Sequence, residues 1–360
     1  MKRIVILANS DIGLYKFRKE LIQQLIDQGN RVYIALPDGG FIKQMKLMGC
    51  KFINTYVDRR GLSLRRDLRL LWFYHNILTE IKPDLVITYT IKPNLYGGII
   101  CRCKKIPYAV NITGLGTAFQ KNGLLKQFII MLYKIALKKA KVVFFENSEN
   151  RQVFLDMKIV MEKHTCLLDG AGVNLEHYRV TKYPSGDITK FLFMGRIMKE
   201  KGVDELFDAM KKLIREGYQC SLDVLGVYEE DYEKTIKLYE KEGWLKYYGY
   251  QEDVRPFIEA SHCFVLPSWH EGMANTNLEC AASGRPVITS NIHGCMESVE
   301  NEVSGFLVER KNPELLSEIM KRFILMTYED KKNMGLQGRE RMENKFDKRK
   351  VVNKTTQMII

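Results

Sequence analysis

Lys190-Phe-Leu-Phe-Met-Gly195-Arg196, followed five residues later by Lys201-Gly202, reads as a second beginning. A short β-rich run ends on a glycine, and a helical period opens at Val203. The alternation then continues with a strand near Ser221–Gly226, a helix near Tyr232–Glu242, a strand near His262–Leu266, a helix over Asn275–Ser283 and strands near Pro286–Ser290 and Gly305–Val308. The same rhythm has already run once upstream. A strand near Arg3–Ala8 leads to a helix over Tyr15–Gln28, and further strands are predicted near Arg31, Lys51, Asp84, Tyr108 and Val142, with helices between them. Strands alternating with helices predict βαβ units and a parallel sheet covered on both faces. The fold class is therefore α/β, with two doubly wound Rossmann-like domains facing across a cleft. Gly, Pro and polar residues cluster from Gly172 to Gly186, which places the domains at 1–177 and 178–344. The tail Arg339–Ile360 reads as helix, and its part near 345–360 is in position to pack back on the first domain. In such folds, ligands bind outside the carboxyl ends of the strands.

Composition agrees. The chain has 360 residues, more than one ordinary core holds, with 46% apolar and 28% charged residues. That excludes a disordered chain, a collagen and a coiled coil. Its eight cysteines form no C-x-x-C pair, which argues against a zinc ribbon or a disulfide framework and fits a reducing cytosol. The start, MKRIVILANS, reads as a strand rather than a signal peptide. The most apolar stretch, Phe128–Leu137, is interrupted by Lys134 and falls short of a membrane span. His164, His177, His262 and His293 have no ligand spacing, so neither a metal nor a cofactor is expected.

The net charge of +13 is unevenly spread. Residues 1–177 carry 28 Lys+Arg against 14 Asp+Glu, and residues 178–360 carry 28 against 29. Between Asp84 and Glu146 there are ten basic residues and no acidic one. Two segments interleave these cations with large apolar residues: Arg59 to Tyr74, with Arg60, Arg65, Arg66, Arg69 and Trp72, and Lys121 to Lys139, with Lys126, Phe128, Lys134 and Lys138. An apolar helix face rimmed by lysine and arginine suits an anionic bilayer surface, although part of each segment must also pack on its own sheet. A cytoplasmic location with contact to an anionic membrane surface is therefore expected.

The strand ends carry the chemistry. Gly195 lets the backbone approach a ligand, and Arg196 and Lys201 stand beside a helix start that itself favours anions. Two fixed cations and a helix end can hold a diphosphate. After the strand near Cys263 comes Pro267-Ser-Trp-His-Glu271-Gly272-Met273-Ala274-Asn275-Thr276-Asn-Leu-Glu279, then Gly284-Arg-Pro286. Asn275 or Thr276 can cap the helix that follows, and Glu271 and Glu279, eight residues apart, can accept hydroxyl hydrogen bonds from a sugar or ribose. Either carboxylate alone would be an ordinary surface residue; the whole string is not. His270 is either a cleft residue or an ordinary packed imidazole. Asn9-Ser10-Asp11-Ile-Gly13 after the first strand is either a turn or a place where an acceptor approaches.

This string resembles the E-x7-E block of the family-4 retaining glycosyltransferases of GT-B fold, and the likeness extends over nearly the whole chain. Gly195-Arg196, Lys201-Gly202, Pro267-Ser-x-x-Glu271-Gly272, Glu279, Gly284-x-Pro286 and Gly294-Cys-x-Glu297 carry it. The resemblance implies that Arg196 and Lys201 bind the donor diphosphate and Glu279 the ribose hydroxyls. It further implies that Glu271 and the backbone of Gly272, Met273, Ala274 and Asn275 contact the donor sugar, and that Gly249 and Tyr250 border the base. Phe17-Arg18, Lys92-x-Asn94 and Gly114-Leu-Gly116 resemble bacterial enzymes that build capsule, O-antigen or other glycans on undecaprenyl diphosphate. The resemblance implies that Asn9, Ser10, Gly13, Arg18, Lys92, Thr113 and Gly114 are the acceptor residues, that the acceptor is a polyprenyl-diphosphate-linked glycan, and that the protein is peripheral on the cytoplasmic face of the inner membrane. Many family members carry a histidine in the loop after the fifth strand; here it reads Asn111-Ile-Thr113-Gly114-Leu-Gly116, so no catalytic base is assigned.

The expected reaction moves a hexose or N-acetylhexosamine from a nucleotide diphosphate sugar, with UDP as the expected carrier, to that acceptor. Arg196, Lys201 and helix N–H groups would stabilise the departing phosphate, at roughly 3–4 kcal/mol per preorganised donor, without a metal. The family's retention implies an α-linked product from an α-linked donor. Paired carboxylates also suggest a glycoside hydrolase, but Glu271 and Glu279 lie beside the diphosphate elements rather than across a sugar. A pI of 9.2 suggests nucleic-acid binding, which leaves the glutamate pair and the balanced second half unexplained. A nucleotide-sugar 2-epimerase of the same fold is the third alternative.

Overall fold

A computed structural model of the chain describes all residues except 58–62, 116–118 and 120–122. Arg59, Arg60, Gly116 and Lys121, singled out above, lie outside the described residues. The chain divides into two compact units, Met1–Ala171 with Lys348–Ile360, and Gly172–Asp347.

In the first unit, strands β1 (Arg3–Leu7), β2 (Arg31–Leu36), β3 (Lys51–Asn54), β4 (Leu85–Tyr89), β5 (Tyr108–Ile112), β6 (Val142–Phe145) and β7 (Thr165–Leu167) form one sheet in the order β3-β2-β1-β4-β5-β6-β7. Every pairing is parallel. Between them run α1 (Asp11–Asp27), α2 (Ile42–Leu47), α3 (Leu64–Ile81), α4 (Gly98–Lys104), α5 (Leu124–Leu137) and α6 (Ser148–Asp156). β4 and β5 are buried along their whole length, as strands covered on both faces must be. Val5, Val86 and Val110 pack to one side with α3 and α5, and Ile4, Ile6 and Ile87 to the other with α1. The sequence order reverses between β1 and β4, which puts the switch point at their carboxyl ends.

The second unit repeats the design. Strands β8 (Thr189–Met194), β9 (Cys220–Leu225), β10 (Leu245–Gly249), β11 (Cys263–Leu266), β12 (Val287–Ser290) and β13 (Gly305–Val308) pair in parallel in the order β10-β9-β8-β11-β12-β13. Its helices are α7 (Val203–Arg215), α8 (Glu233–Lys241), α9 (Arg255–Ala260), α10 (Asn275–Ala282), α11 (Pro313–Leu325) and α12 (Tyr328–Arg341). Here the switch point lies between β8 and β11, whose ends carry Gly195-Arg196 and the Pro267–Glu271 loop.

Three expectations change. The tail is not one helix. A π-helical turn over Met342–Phe346 follows α12, the backbone turns at Asp347 (φ −56, ψ 119), and α13 (Lys348–Ile359) begins anew. Asp347 bridges to Val173, whose N–H donates to Phe346 O at 2.7 Å. From there α13 packs Val351, Val352 and Ile359 into the core beside α1. Helix α1 starts at Asp11, four residues before the expected Tyr15, because Ser10 Oγ caps it by accepting from Gly13 N–H at 3.2 Å. Helix α10 starts at Asn275 with Ala274 as its N-cap, so neither Asn275 nor Thr276 caps it and no side chain does. Among the described residues, no helix is long and apolar enough to cross a membrane, and all eight cysteines are free.

Candidate active site

Close backbone contacts assemble the carboxyl edge of the second sheet, and these contacts demand glycine. β8 ends at Met194, and Gly195 N–H donates to Leu225 O at 3.0 Å. A Cβ on Gly226 would lie 1.8 Å from Gly195 O, so the ends of β8 and β9 meet only because position 226 has no side chain. Gly202 adopts φ +71, and its Cβ would lie 2.1 Å from Pro267 O. This joins the turn carrying Lys201 to the loop after β11. Gly294, at φ +89, would place a Cβ 2.6 Å from Glu271 O, while Ala274 N–H donates to Gly294 O at 2.7 Å. The loop after β12 thereby buttresses the segment from Glu271 to Ala274. Glu297 secures that buttress, accepting from Gly294 N–H at 2.6 Å and pairing with His293 Nδ1 at 2.8 Å.

The charged groups stand on this scaffold. Lys201 Nζ pairs with Glu271, and both side chains are largely buried. Arg196 projects further, with about half of its side chain exposed and Glu229 3.7 Å away. Glu279, half-buried on α10, accepts from the Tyr178 hydroxyl; burial and this carboxylate hold the Tyr178 phenol well above its ordinary range. The start of α10 has no side-chain cap and brings the positive end of the helix dipole; of its first three amides, Asn275 N–H donates to Met273 O and Asn277 N–H to Ala274 O, both at 3.0 Å. Asn275 Oδ1 is buried without a hydrogen-bond partner, and Met273 and Ala274 are buried beneath it in sequence. Cations, a helix start, backbone amides and a carboxylate on neighbouring loops form a set suited to a phosphorylated, hydroxyl-rich ligand. Gly249 (φ +67) ends β10 and accepts from Gly226 N–H at 2.9 Å; the half-exposed Tyr250 follows it at the outer edge of the sheet.

Tyr178 and Trp269 escaped the sequence reading. Trp269 N–H donates to Glu200 O at 2.9 Å and its indole to Glu205 at 3.0 Å, while Ser268 Oγ donates to Glu200 O at 3.2 Å. The residues just before Glu271 thus tie down the turn that presents Lys201. An aromatic inside Pro-Ser-x-x-Glu was visible, but its partners lie more than sixty positions upstream.

The first unit organises its strand ends with polar side chains. Thr88 Oγ1 donates to Asn94 Oδ1 at 2.7 Å, Asn94 Nδ2 to Asn111 O at 2.8 Å, and Asn111 Nδ2 to Thr88 O at 3.2 Å, all buried. Asp11 accepts from Phe41 N–H at 3.1 Å, and Gly39 leaves room for that carboxylate. Arg18 is buried, pairs with Glu146 and lies 5.1 Å from the centre of the Tyr89 ring. Lys92 pairs with Asp67 at 2.9 Å. Gly13 lies in the first turn of α1, its N–H taken by Ser10, and Asn9 precedes that cap. Thr113 is half-buried after β5, and nothing lies within 4 Å of a Cβ placed on Gly114. Of the acceptor residues, Arg18 and Lys92 therefore already bear internal ion pairs. Among the described residues, no three His, Cys, Asp or Glu side chains are grouped to hold a metal ion.

Comparison with known proteins follows the same division. Residues 180–341 match the family "Glycosyl transferases group 1", and residues 3–147 match "Glycosyl transferase 4-like". The chain is 25% identical over 333 residues to N,N'-diacetylbacillosaminyl-diphospho-undecaprenol alpha-1,3-N-acetylgalactosaminyltransferase of Campylobacter jejuni, with 88% of each chain covered. It is 26% identical over 273 residues to UDP-Gal:alpha-D-GlcNAc-diphosphoundecaprenol alpha-1,3-galactosyltransferase of Escherichia coli, covering 69% of this chain and 68% of that one. Among solved structures, Anabaena Alr3699/HepE in complex with UDP and glucose superposes with a TM-score of 0.80 at 16% identity over 99% of both chains, a likeness of fold.

Proposed function

The chain belongs to the group 1 glycosyltransferases, with a 4-like first half and the GT-B fold, and from that premise we propose that it transfers a hexose or N-acetylhexosamine from a UDP-sugar to a glycan on polyprenyl diphosphate. One observation carries this reading: Lys201, Glu271, Arg196 and the uncapped start of α10 stand on loops that three glycines lock together at a sheet's switch point.

The bond from the anomeric carbon to the β-phosphate oxygen breaks, and a bond to an acceptor hydroxyl oxygen forms on the same face. The hydroxyl proton passes to the departing phosphate. Arg196, Lys201 and the α10 amides stabilise the charge that develops there, each worth roughly 3–4 kcal/mol when preorganised. These groups supply the positive charge that a divalent metal would otherwise bring. Glu279, oriented by Tyr178, accepts the ribose hydroxyls, and Glu271 with Gly272–Asn275 meets the donor sugar. Both bacterial relatives are named for alpha linkages and for diphosphoundecaprenol acceptors, which supports retention and the lipid-linked acceptor. The acceptor side falls to the first unit, around Asn9, Ser10, Lys92, Thr113 and Gly114. Its excess of cations supports work at the cytoplasmic face of an anionic membrane.

A panel of nucleotide sugars screened for protection against thermal unfolding identifies the donor. Release of UDP that requires a short-prenyl diphosphate glycan, with the anomeric configuration kept in the product, is the expected result. Turnover of a UDP-sugar to its 2-epimer without acceptor would replace this reading with the epimerase, and protection by no nucleotide sugar would remove it.

A further inference from the structure

On the first unit, the ends of α4, α5 and α6 enclose a groove of about 690 Å³. Its ionisable lining is Arg102, Lys134, Lys138, Lys158 and His164, with no carboxylate. The rest of the wall is apolar, including Met131, Ile135 and Met161, which are exposed. Asp156 and Glu162 each adjoin a lining residue in sequence; Asp156 accepts from Gln152 Nε2 at 2.7 Å, and Glu162 is paired with Arg151 at 2.8 Å.

The groove continues an exposed stripe. Leu124, Phe128, Met131 and Ile135 fall at helical spacing along α5, and Leu124 is 90% exposed. The opposite face of α5, with Ile130, Tyr133 and Leu137, is buried in the core. A helix apolar on both faces, one of them uncovered, marks a contact surface. The end of α5 contributes about half a negative charge. Arg102 offsets part of it by donating to Ile135 O at 3.0 Å, which leaves the lysines in excess. The groove sits at the α5 end that leads into the start of β6, the opposite end of the sheet from Lys92, Thr113 and Gly114. Its occupant is therefore not the diphosphate held at the acceptor loops.

We infer that this groove seats the headgroup of an anionic phospholipid while the α5 stripe lies against the acyl boundary. Cations without acids select a phosphate, and the aliphatic wall with its continuous stripe selects a phosphate that carries a lipid. A nucleic acid would call for stacking aromatics in place of methionine and isoleucine. The inference rests on the membrane-surface reading above and adds a specific site to it.

The test is co-sedimentation of the full chain with phosphatidylcholine vesicles, with and without phosphatidylglycerol. The parent is expected to bind only the vesicles containing phosphatidylglycerol. Lys134→Gln, Lys138→Gln and Lys158→Gln together should weaken that binding about fivefold per lysine. Lys43→Gln, Lys82→Gln and Lys105→Gln, which remove the same charge from exposed positions outside the groove, should change it far less. Dihexanoyl-phosphatidylglycerol below its micellar concentration should raise the parent's Tm and leave the groove variant's unchanged. Transfer to a short-prenyl acceptor should survive in the groove variant. If both triple variants lose binding equally, the groove is refuted while the membrane reading stands. If the parent ignores anionic vesicles, both fall. If inorganic phosphate protects as well as the short lipid does, the site takes a free anion and the lipid assignment is overturned.

Discussion

The two units share a topology but fasten their strand-end loops by opposite means. In the second, backbone touches backbone: Gly226 against Gly195, Gly202 against Pro267, Gly294 against Glu271. In the first, buried side chains do the fastening through Thr88, Asn94 and Asn111, through Asp11, and through the pairs Arg18–Glu146 and Lys92–Asp67. In both units the strand-end cations have carboxylate partners, Lys201 with Glu271 and Arg196 near Glu229 in the second, Arg18 with Glu146 and Lys92 with Asp67 in the first. The difference is that Arg196 keeps about half of its side chain exposed, whereas Arg18 and Lys92 are both about nine-tenths buried. The proposed donor side is thus a charged set on loops fixed by backbone contact, and the proposed acceptor side a polar platform fixed by side chains.

That contrast can be broken by substitution. Lys201→Ala removes the cation proposed to meet the leaving phosphate and should lower kcat by about 10²–10³-fold; near-parental turnover would show that Lys201 does not act on the phosphate. Gly202→Ala places a Cβ into Pro267 O at a left-handed φ. It should cost about 3 kcal/mol in urea unfolding and most of the activity. Gly13→Ala, inside a helix with no neighbour closer than 3.6 Å, should instead be neutral or stabilise by about 0.5–1 kcal/mol. Equal costs at the two glycines would end the distinction.

Acid sharpens the comparison. His262 is buried in the second unit, and its Nδ1 accepts from Lys190 N–H at 3.0 Å, so the ring is neutral. Burial first, then the cations Lys331, Lys190 and Arg285, push its pKa down to about 4. The unfolded chain takes up this proton near pH 6.5 and the folded chain only near 4. Stability present above pH 6.5 should therefore fall by at most about 3 kcal/mol as pH drops through that window. His262→Gln should flatten that slope in pH-dependent denaturation; an unchanged slope would assign it to other groups. Asn94→Ala leaves Thr88 and Asn111 short of a partner and should cost about 1–3 kcal/mol in urea unfolding.

The same contrast explains what was legible in the sequence. Gly202 and Gly294 stand out because contacts of 2.1 and 2.6 Å to a would-be Cβ leave no choice of residue, and Gly195 because its carbonyl would lie 1.8 Å from a Cβ on Gly226. The donor-side string was therefore recognisable as a motif, and the family resemblance supplied the roles proposed for it. Asn94 and Asn111 form their network across two strands, and nothing in their spacing announces it. The α10 cap was misread because Asn275 and Thr276 are good capping residues, yet Gly294 O takes the Ala274 N–H and sets the helix start. The tail was read as one helix because Arg, Lys and Glu favour helix throughout; the break at Asp347 is imposed by Val173, far away in sequence. Strands β7 and β10 were missed because both are short edge strands with partly exposed residues.

The most direct measurement is a crystal structure of the full chain with a bound UDP-sugar. The account predicts both phosphorus atoms within ion-pair reach, about 4 Å, of Lys201 or Arg196 and of the first amides of α10. Phosphates seated elsewhere, with Lys201 still paired only to Glu271, would contradict it.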